Sequence, residues 1–218
     1  MGHEEQRRRM VERLVREGVV KTRRVEEALL RVPREAFVPP RLRSSAYLDS
    51  PLPIGHGQTI SAPHMVAIMV EELGLEPGMR VLEVGTGSGY QAAVMAELVG
   101  PGGRVYTVER IPELAERARR ALDELGYGDR VVVVVGDGSK GYPEAAPYDR
   151  IVVTAAAPRI PPPLIEQLRP GGVLLVPVGD RYMQRLVKVV KRRGGDIEVE
   201  EGVYCLFVPL VGEYGWPA

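Results

Sequence analysis

A glycine-rich turn is the first part of the sequence that could do chemistry. Residues 83–90 read Glu-Val-Gly-Thr-Gly-Ser-Gly-Tyr, at the end of a short apolar run and before a helical pattern. Glycines are needed where a backbone turns sharply into a helix and approaches a ligand closely. The turn alone does not identify the ligand, because dinucleotide and nucleotide sites use glycine-rich turns as well.

The spacing within this turn narrows the choice of ligand. Its glycines follow G-x-G-x-G rather than the G-x-G-x-x-G of dinucleotide-binding proteins. Glu83 lies two residues before the first glycine, a poor place for a pyrophosphate but suited to a ligand that carries an ammonium and a sulfonium. Its contact with that ligand could run through water or backbone. We therefore predict S-adenosyl-L-methionine as the cofactor and S-adenosyl-L-homocysteine as its product.

Two further acidic residues end predicted strands. Glu109 ends the second strand, where a carboxylate can accept both ribose hydroxyls of an adenosine, although a surface acid is the alternative. Asp137, followed by Gly138, ends the third strand and can accept an adenine amino group; it could instead be a helix N-cap or turn residue. All three acids then lie at the carboxyl edge of a sheet, where ligands bind in open α/β folds.

The elements that must position these residues begin at residue 80. Apolar runs predict strands, and amphipathic segments between them predict helices. The predicted strands are 81–84, 104–108, 131–135, 148–154 and 172–178, and the helices are 92–99, 112–125 and 163–168. This alternation indicates an α/β fold with a doubly wound, mostly parallel sheet. The five valines 131–135 predict a strand that is buried on both faces.

Two N-terminal helices precede this core. They are predicted at 4–17 and from the N-cap Thr22 to Arg31, and the proline- and glycine-rich segment 46–60 is predicted to be an ordered loop. Ser61 is the predicted N-cap of the next helix.

The C-terminal runs 185–191 and 202–210, with Gly194 and Gly195 between them, predict an antiparallel strand pair. We predict a single domain, 1–218. Its parts are an N-terminal helical and loop extension at 1–62, a cofactor-binding core at 63–180 and C-terminal strands at 181–218.

Composition restricts the partners. The formal net charge is zero and no apolar run reaches a membrane span, so we expect neither nucleic acid nor membrane as a partner. The N-terminus does not resemble a signal peptide, which predicts a cytoplasmic protein. Cys205 is predicted to be a small buried hydrophobe, and His56 and His64 lack the neighbours that a metal site needs. The absence of asparagine suggests a thermophilic source.

Four segments resemble the protein-L-isoaspartate O-methyltransferase family of class I S-adenosylmethionine-dependent methyltransferases. Residues 81–100 resemble the first motif of class I methyltransferases, and 168–179 resemble the family's later strand motif. Residues 136–151 are similar to the family signature and 55–67 to its pre-motif, and these two segments are the specific ones. The resemblance implies a Rossmann-like methyltransferase fold. One departure is Val211, where some relatives carry a threonine.

The resemblance also implies an activity and a site. The activity is methyl transfer to the free carboxylate of L-isoaspartyl, and of D-aspartyl, residues in damaged proteins, which starts repair through a succinimide. Ser61 matches the family's active-site serine. The residues that we expect to contact the cofactor are Thr59, Ile60, His64, Glu83, Gly85, Thr86, Gly87, Gly89, Glu109, Arg110, Asp137 and Gly138.

A substrate cleft is predicted beside Ser61. We expect Tyr47, Pro53 and Ile54 to form it with Ser61 for an extended peptide, unless this segment is a packed structural loop. The substrate carboxylate is already ionised at neutral pH, so the reaction needs no general base. Catalysis then consists of alignment and exclusion of water, with Ser61 orienting the carboxylate, serving as a helix N-cap, or both. We expect the protein to act on peptides and proteins that contain isoaspartate. We also expect it to be a monomer.

Three other functions fit parts of the pattern. A methyltransferase acting on another small molecule or protein would share every cofactor residue and differ only in 55–67 and 136–151. A nicotinamide oxidoreductase is disfavoured by the glycine spacing and by Glu83. A binding module that senses the cofactor without turnover is disfavoured by the intact Ser61 segment.

Overall fold

The computed structural model describes residues 2–217. The helices are α1 (His3–Arg16), α2 (Arg23–Arg31), α3 (Pro63–Leu73), α4 (Tyr90–Val99), α5 (Pro112–Glu124) and α6 (Pro162–Gln167). The strands are β1 (Leu52–Gly55), β2 (Gln58–Ile60), β3 (Arg80–Val84), β4 (Arg104–Glu109), β5 (Val131–Val135), β6 (Tyr148–Val153), β7 (Leu168–Gly179), β8 (Gln184–Lys191) and β9 (Ile197–Cys205). Short 3₁₀ turns occur at Arg34–Phe37, Pro40–Ser45, Gly138–Lys140 and Pro143–Ala145.

Seven strands form one sheet in the order β5-β4-β3-β6-β7-β8-β9. The first five are parallel, and β8 and β9 continue the sheet in antiparallel pairing. The strand order reverses beside β3, which pairs with β4 on one side and with β6 on the other. The predicted doubly wound α/β fold with a C-terminal antiparallel pair is confirmed. Crevices form at such a reversal, outside the carboxyl ends of the strands.

The N-terminal helices extend the core that holds the glycine turn. Helix α4 is almost wholly buried because it packs against the sheet on one side and against α2 on the other. Leu14 of α1 and Leu29 of α2 belong to the same apolar cluster as Met95 of α4. Thr22 caps α2 as predicted, accepting a hydrogen bond from the backbone N–H of Val25.

Tertiary pairing corrects three predictions. The valines of β5 are not buried on both faces: β5 is an edge strand at the margin of the helix layers, and Val135 is 48% exposed. Strand β9 begins at Ile197 rather than near 202, because a tight turn, closed by Arg192 N–H donating to Asp196 O at 2.7 Å, returns the chain at once. Cys205, at the end of β9, is consequently half-buried rather than buried.

The segment before α3 is also more regular than predicted. Strands β1 and β2 form an antiparallel hairpin whose turn, Gly55-His56-Gly57, has positive φ at all three residues. Helix α3 begins one residue later than expected, and its N-cap is Ala62, so the prediction of Ser61 as the N-cap is wrong.

Candidate active site

The main cleft of the described residues lies at the carboxyl ends of β3, β4 and β6, where the strand order reverses. Its empty volume is about 770 Å³, including its open mouth. The β2 hairpin strand and the segment 208–211 close it from the other side. Ten of the predicted site residues line it: Thr59, Ile60, Ser61, Glu83, Gly85, Thr86, Gly87, Glu109, Arg110 and Gly138.

Close packing against neighbouring side chains favours glycine at two positions of the glycine turn. Gly85 has φ +97°, and a Cβ there would lie 2.4 Å from Thr154 Oγ1, whose hydroxyl donates to Gly85 O at 2.7 Å. Gly89 is not on the cleft wall. It has φ +88°, and a Cβ there would lie about 3.3 Å from both Ala118 and Leu122 of α5. Gly89 therefore allows α4 to pack close to α5.

The Glu109 carboxylate is buried and aligned at the end of β4. Its Oε2 accepts the backbone N–H of Gly87 at 2.9 Å, and its Oε1 accepts that of Ile111 at 3.0 Å. An ionised carboxylate has about four acceptor positions. Two therefore stay free on a side chain that lines the cleft, which is the arrangement that a pair of ribose hydroxyls needs.

Glu83 begins a buried chain of three polar side chains. The Thr107 hydroxyl donates to Glu83 Oε2 at 2.6 Å, and the hydroxyl oxygens of Thr107 and Thr86 lie 2.7 Å apart. Burial raises the pKa of the Glu83 carboxyl to about 8; the Thr107 hydrogen bond opposes this shift and the charge of Glu109 adds to it. Without a cation beside it, Glu83 is therefore largely protonated at neutral pH.

Asp137 makes the contacts of a capping residue, the alternative to adenine binding that its sequence position allowed. Its Oδ1 accepts the Ser139 N–H at 2.9 Å and the Ser139 hydroxyl at 2.6 Å, and its Oδ2 accepts the Glu213 N–H at 2.8 Å. Burial alone would raise the pKa of Asp137, but these hydrogen bonds outweigh it and lower that pKa. Asp137 thus caps a short turn and holds the C-terminal segment, while the adjacent Gly138 reaches the cleft wall.

His64 also lies outside the cleft wall. Its ring Nδ1 lies 2.9 Å from Asp49 Oδ1, which also accepts the His64 backbone N–H at 3.0 Å. Asp49 pairs in turn with Arg13 of α1 at 3.2 Å. These contacts tie the start of α3 to α1, which is a structural arrangement.

Ser61 lines the cleft, and its hydroxyl has no hydrogen-bond partner within residues 2–217. The Ser61 carbonyl accepts a hydrogen bond from Arg34 Nη2 at 2.7 Å. The backbone is therefore held while the hydroxyl stays available to a ligand.

Three residues predicted for the substrate cleft do not line it. The Tyr47 hydroxyl is half-buried and donates to Glu35, and Ile54 is buried in the apolar core. Pro53 is exposed on β1. Pro53 and Ile54 face opposite sides of β1, because alternate residues of a strand face opposite sides.

Sequence reasoning missed part of the cleft wall. Tyr90 and Gln91 directly follow the glycine turn, a position that could have indicated them, and Thr154 directly follows β6. Within the segment 208–211, only Val211 had been noted, as a departure from the family pattern. It reaches the cleft because Ala156 N–H donates to Val208 O at 2.7 Å and Leu210 N–H donates to Ala156 O at 2.8 Å.

The residues present fit an adenosyl cofactor with an amino-acid tail. Glu109 offers free acceptor positions for hydroxyl donors. Gln91 Oε1 is a buried acceptor with no partner within residues 2–217, and its side chain lines the cleft, where an ammonium donor would satisfy it. Across the same residues, no group of three or more His, Cys, Asp or Glu side chains could hold a metal ion. No helix from 2 to 217 has the length and apolar character to cross a membrane.

Sequence comparison gives close relatives. The family profile described as protein-L-isoaspartate(D-aspartate) O-methyltransferase matches residues 5–215. A protein-L-isoaspartate O-methyltransferase from Hyperthermus butylicus is 67% identical, with 97% of this chain and 91% of the relative covered. One from Methanopyrus kandleri is 61% identical, with 96% and 93% covered.

Structural comparison gives neighbours that carry the same kind of name. A protein-L-isoaspartate O-methyltransferase structure has a TM-score of 0.86 at 33% identity, with 96% of this chain and 67% of that chain covered. A beta-aspartate methyltransferase from Plasmodium falciparum, in complex with S-adenosyl-L-homocysteine, has a TM-score of 0.84 at 27% identity, with 94% and 98% covered.

Proposed function

Because the chain belongs to the protein-L-isoaspartate(D-aspartate) O-methyltransferase family, we propose that it methylates the free carboxylate of L-isoaspartyl residues, and of D-aspartyl residues, in damaged proteins. The methyl donor is S-adenosyl-L-methionine, and the methyl ester then starts repair through a succinimide. The observation that carries the proposal is the family match over nearly the whole chain, together with a cleft that the pre-motif segment closes beside the glycine turn.

The cofactor-binding residues divide the cleft into regions. Glu109 would accept the ribose hydroxyls, and Gly138 would lie beside the adenine. The backbone of Gly85 and Gly87, with Glu83 and Gln91, would surround the amino-acid tail. Thr59, Ile60, Thr86 and Arg110 complete this wall. When bound, the cofactor supplies a methyl group on a positively charged sulfur.

The protein contributes alignment rather than acid–base chemistry. The substrate carboxylate is ionised at neutral pH, and the methyl donor needs no proton to leave. Ser61 donates its unpartnered hydroxyl to one carboxylate oxygen and leaves the other oxygen directed at the methyl carbon. The hairpin of β1 and β2 covers the cleft and excludes water from the reacting atoms.

The chain acts as a single domain and as a monomer in the cytoplasm, with neither nucleic acid nor membrane as a partner. The net charge of zero supports this assignment, because a nucleic-acid or anionic-membrane surface requires excess positive charge. Sedimentation at several protein concentrations tests the monomer.

A matched peptide pair tests the activity. One peptide carries isoaspartate, the other aspartate at the same position, and both are incubated with protein and labelled methyl donor. We expect base-labile label in the isoaspartyl peptide only. Equal labelling of both peptides, or of neither, would contradict the proposed substrate.

Substitution of Ser61 tests its role. Ser61→Ala should lower kcat by about 10- to 100-fold, because misorientation of the reacting oxygen carries a cost of that size. The affinity for S-adenosyl-L-homocysteine, measured by calorimetry, should stay within about twofold. Ser88→Ala, which also changes a serine on the cleft wall, is the matched control. Equal losses of kcat and affinity in Ser61→Ala would assign Ser61 a structural role only.

A further inference from the structure

Arg34 is a buried arginine that the chemistry described so far does not use. It lies in the 3₁₀ turn Arg34–Phe37, and its relative exposure is 0%. No carboxylate lies within 4 Å of its guanidinium in the part of the chain from 2 to 217. Burial lowers the pKa of the Arg34 guanidinium to about 10, so the group stays charged at neutral pH.

An unpaired buried cation is costly and calls for a physical reason. Removing a charge from water without a counter-charge costs several kcal/mol, and buried arginines are therefore usually paired. Core packing alone would be better served by an apolar side chain of similar volume. The hydrogen bonds and the ring contact of the Arg34 guanidinium suggest a role other than core packing.

The guanidinium joins the two ends of one loop. Its Nε donates to Ala46 O at 2.7 Å, and its Nη2 donates to Ser61 O at 2.7 Å. Between these carbonyls lie the β1–β2 hairpin and the pre-motif segment, which form one side of the cleft. The planar fork of an arginine donates to the two carbonyls in a fixed relative geometry.

Arg34 also contacts the cofactor side of the cleft. Its guanidinium carbon lies 4.9 Å from the ring centroid of Tyr90, the first residue of α4 after the glycine turn. Tyr90 is itself buried and packs edge-on against Phe37, with ring centroids 5.8 Å apart. One side chain therefore connects the backbone of Ser61 with the helix that starts at the glycine turn.

We propose that Arg34 is a positioning residue that holds Ser61 in register with the cofactor-binding turn during methyl transfer. This inference rests on the proposed function and on the role of Ser61 in it. Arg34 acts through the Ser61 carbonyl, which it fixes, so the hydroxyl of Ser61 meets the substrate carboxylate at a constant distance from the glycine turn. Its third nitrogen, Nη1, is buried and has no hydrogen-bond partner within residues 2–217.

The test compares Arg34→Lys and Arg34→Met with Arg24→Lys. Arg24 is a matched control, because it also donates to two carbonyls, Leu75 O at 2.8 Å and Leu98 O at 2.6 Å, but at the amino edge of the sheet, opposite the cleft. Calorimetric titration with S-adenosyl-L-homocysteine counts the folded sites and gives the affinity. Initial rates with the isoaspartyl peptide then give kcat per folded site and KM.

Arg34→Lys keeps the charge but replaces the rigid planar fork with a single nitrogen on a flexible chain, so the two carbonyls are no longer held in one fixed geometry. We expect kcat per folded site to fall about 10- to 100-fold while KM stays within about threefold. Arg34→Met should lower kcat per folded site at least as much, since it removes the donors to both Ala46 O and Ser61 O. Ligand affinity should stay within about twofold in both variants, and Arg24→Lys should keep kcat within about twofold.

Two results would overturn the inference. The first is kcat per folded site that is unchanged in Arg34→Lys and Arg34→Met. The second is loss of ligand-binding sites in both variants in proportion to the lost activity at every temperature tried, which would make Arg34 a folding residue only. A wild-type protein that leaves the isoaspartyl peptide unlabelled would instead refute the proposed function, so the two failures are distinguishable.

Discussion

Glu83→Gln tests whether the folded chain keeps the buried Glu83 carboxyl on the cleft wall protonated. The Glu83 side chain is 1% exposed, and its hydrogen bond comes from the neutral Thr107 hydroxyl. Burial raises its pKa from 4.5 to about 8. Between these two values the folded chain holds a proton that the unfolded chain has lost, so the free energy of unfolding decreases as pH rises.

The size of the effect follows from one proton. A difference of one bound proton changes the free energy of unfolding by about 1.4 kcal/mol per pH unit. Between about pH 5.5 and 7.5, Glu83 should therefore remove roughly 3 kcal/mol of stability from the cofactor-free wild type. The Gln variant keeps the shape and the acceptor for Thr107 but cannot ionise, so this slope should be absent from it.

Guanidinium unfolding at a series of pH values measures the effect. The difference in unfolding free energy between the Gln variant and wild type should grow in favour of the variant as pH rises through this window, and level off above about pH 8. Cofactor must be absent, because a bound cation beside Glu83 would favour the ionised form. Stability curves that run parallel from pH 5.5 to 7.5 would refute the argument that burial keeps Glu83 protonated.

Two further substitutions test the glycine turn and its partner. Glu109→Gln should weaken binding of S-adenosyl-L-homocysteine at least about tenfold by calorimetry, since hydrogen bonds to a charged acceptor contribute about 1.5–3 kcal/mol; unchanged affinity would remove Glu109 from the site. Gly85→Ala should cost about 1–3 kcal/mol more than Gly126→Ala in guanidinium unfolding, because both have positive φ but only the Gly85 Cβ would meet Thr154 Oγ1, at 2.4 Å. Equal costs would show that Thr154 moves aside freely.

Local sequence patterns predicted the core elements well, because strand and helix formation there follows from residues that are close in sequence. The alternation of strands and helices from residue 80 onward gave the parallel sheet, and Thr22 was recognised as an N-cap from its residue type and the helix after it. The position of Glu109 at the carboxyl edge of the sheet was predicted correctly, because a residue at the end of a parallel strand necessarily lies at that edge.

Local patterns did not predict contacts that distant segments make with the same residues. The C-terminal segment supplies the Glu213 N–H to Asp137. Asp49 holds the ring of His64. The partner in each case is 15 or more residues away in sequence, and nothing in the local pattern of either residue announces it.

By itself, the sequence determined the order of elements, the sheet type and the glycine turn, because hydrophobic periodicity and backbone freedom are local properties of the chain. Only the tertiary structure decided which polar groups face the cleft. It placed Ser61 on the cleft wall, joined Arg34 to the Ser61 carbonyl, and brought the segment 208–211 to the same cleft. These outcomes depend on hydrogen-bond partners that are distant in sequence and meet only in the folded chain.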